Sequence, residues 1–383
     1  MEVLVLSCGM GGGHNSAGLA VAEELRRRGH DVTFMNAFDL KDSKTASRVN
    51  NAYIGIAQRV PWLFGAIYFL GEAYRHLPVK SPIYWANGKM VGYMKALLDE
   101  HHFDAIVASH TFPAQTLTQM KREGAALPRT FFVATDYVCT PFEEETDCDY
   151  TVIPSPELEG EFCRYGLEKD RLLPFGIPVH PEFAGDTTRE EARGRLGWDP
   201  DSFVVLLSGG SIGAGQISTA IKLLRPFLAG DSRRKLVVIC GNNRKLFEKL
   251  SRSCAGCGQI TLVEKTERMA DFVHGCNVFV TKPGGLSSTE AAAAGVPLIH
   301  ISPIPGCESH NFRFFADRGM SIGVKHLRRE LLPAVEAVRD PAVASRMREA
   351  QRTVLNRFST SRLCGFIEET VEKEEKPKTA ASS

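Results

Sequence analysis

The sequence predicts an α/β protein made of two Rossmann-like, doubly wound domains in tandem, and three observations predict it. Apolar runs of strand length alternate with helical patterns in two successive series, which is the rhythm of a parallel sheet flanked by helices. Each series opens alike, as VLVLSCGMGGGHNSAG and FVVLLSGGSIGAGQIS, a buried strand followed by a glycine-rich turn and a helix start. At 383 residues the chain exceeds what one ordinary core organises.

The first series runs VLVLSC (3–8), DVTFMN (31–36), DAIVAS (104–109), TFFVAT (130–135) and YTVIPS (150–155). The second runs FVVLLSG (203–209), KLVVICG (235–241), ITLVE (260–264), VFVTK (278–282) and PLIHIS (297–302). Between them lies the turn-rich stretch 173–202, where Pro178 and Pro181 restrict the backbone as an interdomain linker requires. The expected division is therefore 1–178, 179–373 and a disordered, solvated tail at 374–383, with the helical patterns 329–337, 341–356 and 359–373 assigned to the second domain.

Lys plus Arg number 46 and Asp plus Glu 45, so the bulk charge argues for neither nucleic acid nor an acidic tail. MEVLVLSC has no basic leader region, and no apolar run reaches the ~18 residues of a membrane span. WLFGAIYFLGEAY (62–74) comes nearest but is interrupted by Gly65, Gly71 and Glu72. A cytoplasmic chain with ten reduced cysteines is expected. Cys254, Cys257, His274 and Cys276 have a spacing that invites zinc, but without a second CxxC they read as ordinary thiols.

Neither glycine turn completes the dinucleotide fingerprint, which disfavours a dehydrogenase even though Asp39 ends the second strand. The stretch TKPGGLSSTEAAAAG is more informative. A strand ends at Pro283-Gly284-Gly285, and Ser287, Ser288 and Thr289 open a small-residue helix, so backbone N–H groups and hydroxyls converge at a positive dipole end fit for a diphosphate. Glu290 suits the two hydroxyls of a ribose, with a helix-capping glutamate as the alternative.

As a set, GGGHNSAG (11–18), the Thr135-Asp136 pair of VATDY (133–137), GIPVHPEF (176–183), SGGSIGAG (208–215), KPGGLSSTE (282–290) and PIPGCESHN (303–311) resemble the bacterial processive diacylglycerol glucosyltransferases and plant monogalactosyldiacylglycerol synthases. The resemblance covers about 320 residues in the same order. More distantly the chain is similar to the lipid-linked N-acetylglucosaminyltransferase of peptidoglycan synthesis. The resemblance implies a GT-B fold, with the active site in the cleft between two Rossmann-like domains. It also implies an inverting transferase that moves a hexose from a UDP-sugar, the acceptor held by the N-terminal domain and the nucleotide by the C-terminal one. Gly210, Ser211 and Gly213 would then sit at the phosphates, Gly284, Gly285, Leu286, Ser287 and Ser288 would form the cradle, and Glu290 would bind ribose. Glu308 and Asn311 would face the donor hexose or its phosphates.

Two departures bear on substrate. Cys307 stands where many relatives have glutamine, which leaves donor identity open. The loop VCTPFEEETDCDY (138–150) lacks the histidine and tryptophan that follow the Thr-Asp pair in several relatives.

The histidine in the first turn now has a use. Transfer to an alcohol needs a base, and His14 at a helix N-terminus is kept neutral by the positive dipole end. Asp136 is the candidate to orient its ring, and His110 at another strand end is a further acceptor-side candidate, with a capping role as the alternative. No metal or cofactor is expected beyond the UDP-sugar co-substrate. Residues 52–98 interleave Trp62, Phe64, Tyr68, Phe69, Tyr84 and Trp85 with Arg59, Arg75, Lys80, Lys89 and Lys95, a composition that seats at the headgroup level of an anionic bilayer. The expected activity is transfer of glucose, or in second place galactose, to diacylglycerol at the inner face of the membrane. The alternatives are a UDP-N-acetylglucosamine transferase with an isoprenoid-linked acceptor and a non-catalytic UDP-binding module.

Overall fold

The computed structural model describes residues 1–9, 12–41, 55 and 61–380. Met10 and Gly11 of the first glycine turn, Arg59 and the side chain of Phe64 lie outside the described residues. Two compact units divide the chain: residues 1–53, 66–181 and 358–383 form one, residues 54–65 and 182–357 the other.

The first unit holds a parallel six-stranded sheet of β1 (Glu2–Ser7), β2 (Asp31–Asn36), β3 (Ala105–Ala108), β4 (Arg129–Val133), β5 (Tyr150–Val152) and β6 (Leu172–Leu173), in the order β2-β1-β3-β4-β5-β6. The second repeats the plan with β7 (Phe203–Ser208), β8 (Arg234–Ile239), β9 (Ile260–Val263), β10 (Val278–Thr281), β11 (Leu298–Ile301) and β12 (Ile322–Val324), ordered β12-β11-β10-β7-β8-β9. Leu4, Leu6, Ile106, Leu206, Leu207 and Ile299 are fully buried. Each such side chain contributes roughly 1.5–3 kcal/mol on leaving water. Two-sided burial is also why these strands read as unbroken apolar runs.

Strand order reverses between β1 and β3 in the first unit and between β7 and β10 in the second. Ligands of open parallel sheets bind beyond the strand C-termini at such reversals. His14 and Ser109–His110 follow the first pair of strands, and the Gly209–Gly215 loop and Lys282–Ser288 follow the second.

Three expectations are corrected. Among the described residues the sheets have six strands each, since β6 lies where the stretch read as linker begins and β12 is only three residues long, both too short to show a pattern. Residues 359–373 do not belong with the second domain. The helix Ser359–Ala380 packs Leu363, Cys364, Ile367 and Val371 against Val3, Val5, Val21 and Leu25 of the first, and Glu368 binds Arg28 at 2.7 Å and His30 at 2.8 Å. Ser359 and Thr360 donate to the carbonyls of Ile177 and Val179, fixing the returning segment beside the outgoing one. Finally, the segment read as a disordered tail from 374 is helical as far as Ala380.

Candidate active site

His14 lies in the first turn of the helix Gly13–Arg27 and is half-buried. That helix presses close to the sheet: a Cβ on Gly18 would lie 2.9 Å from Ser109 Oγ and 3.1 Å from the Phe34 ring. The ring's Nδ1 is 3.0 Å from the Ser109 carbonyl and 3.0 Å from Thr135 Oγ1. A carbonyl only accepts, so Nδ1 carries the hydrogen and Nε2 keeps its lone pair, which is the tautomer a general base requires. Burial lowers the pKa of the ring below 6.5, opposed by the charge of Asp136 and the Ser109 hydrogen bond, and leaves it neutral near pH 7.

Ser109 and Thr135 hold the ring at Nδ1, and the negative charge of Asp136, the residue expected to orient the imidazole, favours its protonated form. His110 takes the capping role: its Nδ1 accepts from the Phe112 N–H at 3.0 Å at the start of the helix Thr111–Arg122. Its ring sits edge-on to His14, centroids 4.3 Å apart, and burial with the charge of His14 holds it well below the usual histidine range.

The loop after Asp136 folds around three inward-facing carboxyls. Glu145 accepts from Ser81 N and Oγ at 2.6 Å each and from Gln115 Nε2 at 3.0 Å. Burial pushes the Glu143 carboxyl up to about 8, with the Thr140 N–H as its partner at 3.1 Å. Glu144 binds Arg75 at 2.8 Å. Arg75, read from sequence as a base at a membrane surface, is therefore interior, because the carboxyls of this loop draw it in.

The other residues of that surface divide by exposure. Trp62 is 68 % exposed, Phe69 71 %, Leu70 66 % and Trp85 64 %, while Tyr84 is buried. In the first unit Tyr74, Val79, Lys80, Pro82, Trp85, Ala86 and Lys89 line a groove of about 610 Å³. None of the described helices is long and apolar enough to cross a membrane.

In the second unit the Gly209–Gly215 loop closes largely on itself. Gly213 donates to the Gly210 carbonyl at 3.0 Å, and a Cβ there would fall 2.2 Å from the Cys240 carbonyl oxygen. Gly213 is thus a packing glycine whose N–H is taken up inside the loop, and Ser211 is left exposed at its tip.

The helix Gly285–Ala293 begins after Gly284 without a side-chain cap, so the N–H groups of Gly285, Leu286 and Ser287 have no intrahelical acceptor. Ser288 was expected among the phosphate ligands. Its buried hydroxyl instead meets His300 Nε2 at 2.9 Å, because the small residues of this helix pack that face onto β11. The Thr289 hydroxyl turns back to the Gly285 carbonyl at 2.6 Å, which leaves Ser287 as the outward hydroxyl.

Glu290 makes no capping bond. Its carboxyl has no hydrogen-bond partner among the described residues, and burial raises it to about 8. Glu308 and Asn311, expected to face the hexose, grip the strand end: Glu308 pairs with Lys282 and accepts from Ile304 N at 2.8 Å, and Asn311 donates to the Pro283 carbonyl at 3.1 Å.

Sequence reasoning missed Lys282. Its ammonium lies beside both the Gly209–Gly215 loop and the start of the helix Gly285–Ala293, since a Cβ on Gly210 would be 4.0 Å from Nζ and one on Gly284 3.9 Å. Ser302 has a φ of 48°, and its buried Oγ and the Thr281 Oγ1 at the end of β10 have no hydrogen-bond partner among the described residues. A lysine directly before Pro-Gly-Gly at a strand end was the available signal.

The CxxC group is not gathered: His274 Nε2 meets the Glu182 carbonyl at 2.9 Å and Cys276 Sγ donates to that of Val273 at 3.1 Å. An Asp-x-Asp spacing does occur at Asp147 and Asp149, but Asp147 pairs with Arg171 at 2.9 Å and Asp149 accepts from Thr130 N and Oγ1 at 2.9 Å.

Comparison with known proteins adds the following. Residues 14–179 match the family model for monogalactosyldiacylglycerol synthase, and residues 204–353 that for the glycosyltransferase family 28 C-terminal domain. A processive diacylglycerol beta-glucosyltransferase of Bacillus subtilis is 28 % identical over 340 residues, covering 88 % of this chain and 86 % of that one. MurG of Acinetobacter baumannii superposes with a TM-score of 0.60 at 15 % identity, covering 96 % of this chain and 99 % of its own. Anabaena HepE in complex with UDP-glucose does so with a TM-score of 0.54 at 15 % identity, covering 97 % and 100 %.

Proposed function

We propose that this chain, whose residues 14–179 and 204–353 match the monogalactosyldiacylglycerol synthase and glycosyltransferase family 28 C-terminal models, moves a hexose from a UDP-sugar to diacylglycerol, inverting the anomeric carbon. The observation that carries this reading is the state of His14, a half-buried neutral ring whose hydrogen is pinned at Nδ1 by a backbone carbonyl.

His14 Nε2 takes the proton of the acceptor hydroxyl as its oxygen attacks the anomeric carbon, and the bond from that carbon to the UDP oxygen breaks. Such a base contributes roughly 10²–10⁴ in rate. Asp136 stabilises the imidazolium. Negative charge grows on the departing diphosphate, and the first-turn N–H groups at Gly285–Ser287, the Ser287 hydroxyl and the Lys282 ammonium are preorganised to receive it. Glu290 holds the ribose hydroxyls. Glucose is the preferred hexose, since the Bacillus subtilis relative is named for glucosyl transfer and HepE was solved with UDP-glucose.

A lipid acceptor has to be met at a membrane surface. The exposed Phe69, Leu70, Val79 and Trp85, with Lys80 and Lys89 at the groove, give the first unit an apolar face rimmed by cations, suited to peripheral attachment on the inner side of the cell membrane.

The test supplies the protein with UDP-glucose, UDP-galactose or UDP-N-acetylglucosamine, each with diacylglycerol or an isoprenoid-linked acceptor, and resolves the lipid products. Glucosyl-diacylglycerol from the wild type, and none from His14→Ala with UDP binding retained, is the expected result. Product only from the isoprenoid acceptor would replace this reading, and UDP binding without product from any pair would leave a binding module.

A further inference from the structure

Arg75 follows directly on the exposed apolar helix Pro61–Tyr74, yet its own side chain is 1 % exposed. The guanidinium reaches Glu144 through Nη2 at 2.8 Å and Nε at 3.3 Å, Glu72 through Nη1 at 3.1 Å, the Cys139 carbonyl at 3.0 Å and Cys139 Sγ at 3.4 Å. It also stacks over the Tyr165 ring, 3.4 Å from the centroid. Around it the helix and the loop are in close contact: a Cβ on Gly71 would lie 3.0 Å from Pro141 Cβ, and Tyr74 meets Phe142 edge-on.

The loop that Arg75 grips begins where Thr135 holds His14. Only Asp136 and the buried Tyr137 and Val138 separate Thr135 from Cys139. Within the first unit, the helix that carries the exposed Phe69 and Leu70 is therefore tied to the imidazole through the Arg75 contacts and the short backbone segment from Cys139 back to Thr135. A planar, five-donor fork fixes direction as well as distance, which neither lysine nor an apolar side chain can do. An apolar residue of similar volume often supplies equal or greater stability at such a buried site, so orientation is what this arrangement adds.

Resting on the acceptor assigned above, we propose that Arg75 is a positioning residue: by locking the apolar helix to the loop behind His14, it fixes the depth at which a lipid hydroxyl is presented to the base. Misplacement of a reacting group by about 1 Å costs on the order of 10²-fold.

The experiment measures three quantities for the wild type, Arg75→Met, Arg75→Lys and Glu144→Gln: hexose transfer to diacylglycerol in mixed micelles, slow hydrolysis of the UDP-sugar with water as acceptor, and UDP binding. In Arg75→Met, kcat for diacylglycerol is expected to fall about 10–100-fold, while hydrolysis and UDP binding stay within two-fold. Arg75→Lys should recover part of the loss. Glu144→Gln, which keeps the guanidinium and its other partners, should shift transfer in the same direction by less and carries the test if Arg75→Met does not fold. Unchanged transfer overturns the proposal, and so does a parallel fall in transfer and hydrolysis, since water needs no depth setting. A wild type that glycosylates no diacylglycerol would instead remove the functional reading on which the proposal stands.

Discussion

The turns after β1 and β7 occupy equivalent places at the strand reversals of their sheets and share a glycine-rich sequence, yet they do opposite things. The first delivers a titratable ring, with His14 held from behind by Ser109 and Thr135 and its second nitrogen left available. The second folds onto itself through Gly210 and Gly213, and the open N–H groups and the ammonium come instead from the helix after β10 and from Lys282. On the function proposed above, one topology yields a proton acceptor in one unit and a charge receptor in the other, according to which side chains follow the glycines.

The contrast breaks first at His14. His14→Ala should lower the turnover of hexose transfer by at least 10²–10⁴-fold while leaving UDP affinity within two-fold in calorimetry, because UDP is assigned to the other unit. A matching loss of UDP affinity would mean that the two turns are not separate in function. Lys282→Met tests the other side. It should cut kcat/KM about 10²-fold, the scale of losing one charge-stabilising group, and weaken UDP binding as well. Glu308→Gln keeps the lysine and should cost far less, so equal losses in the two variants would reduce the pair to a structural brace.

A smaller effect sharpens the account of the base. Protonation abolishes the base, and burial holds the pKa of His14 below 6.5, so activity should be flat through neutral pH and fall only as pH drops through that lowered value. The charge of Asp136 raises the pKa, so Asp136→Asn should move the acidic limb of the pH–rate profile further down and lower the plateau several-fold. An acidic limb that moves up would show that Asp136 does not face the imidazole.

Much of this was legible in the sequence, for identifiable reasons. Strands buried on both faces leave unbroken apolar runs, so ten of the twelve were visible, and β6 and β12 were missed because two or three residues carry no period. The return of the helix Ser359–Ala380 to the first sheet was not legible, since its apolar stripe states that it packs and not where. His14 stood out because a histidine in a glycine turn is chemically conspicuous. Lys282 did not, because a lysine at a strand end usually marks only the exit to solvent. Arg75 was misassigned for a related reason: Glu144, the carboxylate that ties it to the loop, is 69 residues away in sequence.

Ser288 shows the limit most clearly and gives the smallest prediction. Three consecutive hydroxyls at a helix start look equivalent, but 100° of rotation per residue turns Ser288 inward to His300, whose Nδ1 is buried without a partner and whose pKa burial lowers to about 3. Ser288→Ala should therefore leave hexose transfer within two-fold and appear as about 1–3 kcal/mol of lost stability in denaturant melts, the cost of stranding the second ring nitrogen. Replacing both partners, as in Ser288→Ala with His300→Leu, removes the orphaned groups together and should recover most of that loss. The same pair sets an acid sensitivity. Between pH 6.5 and about 3 the unfolded chain binds a proton that the folded chain refuses, so stability falls as pH falls, by up to about 1.4 kcal/mol per unit. The double variant should lack that slope; a Ser288→Ala enzyme that instead loses transfer at unchanged stability would return this hydroxyl to the phosphate site.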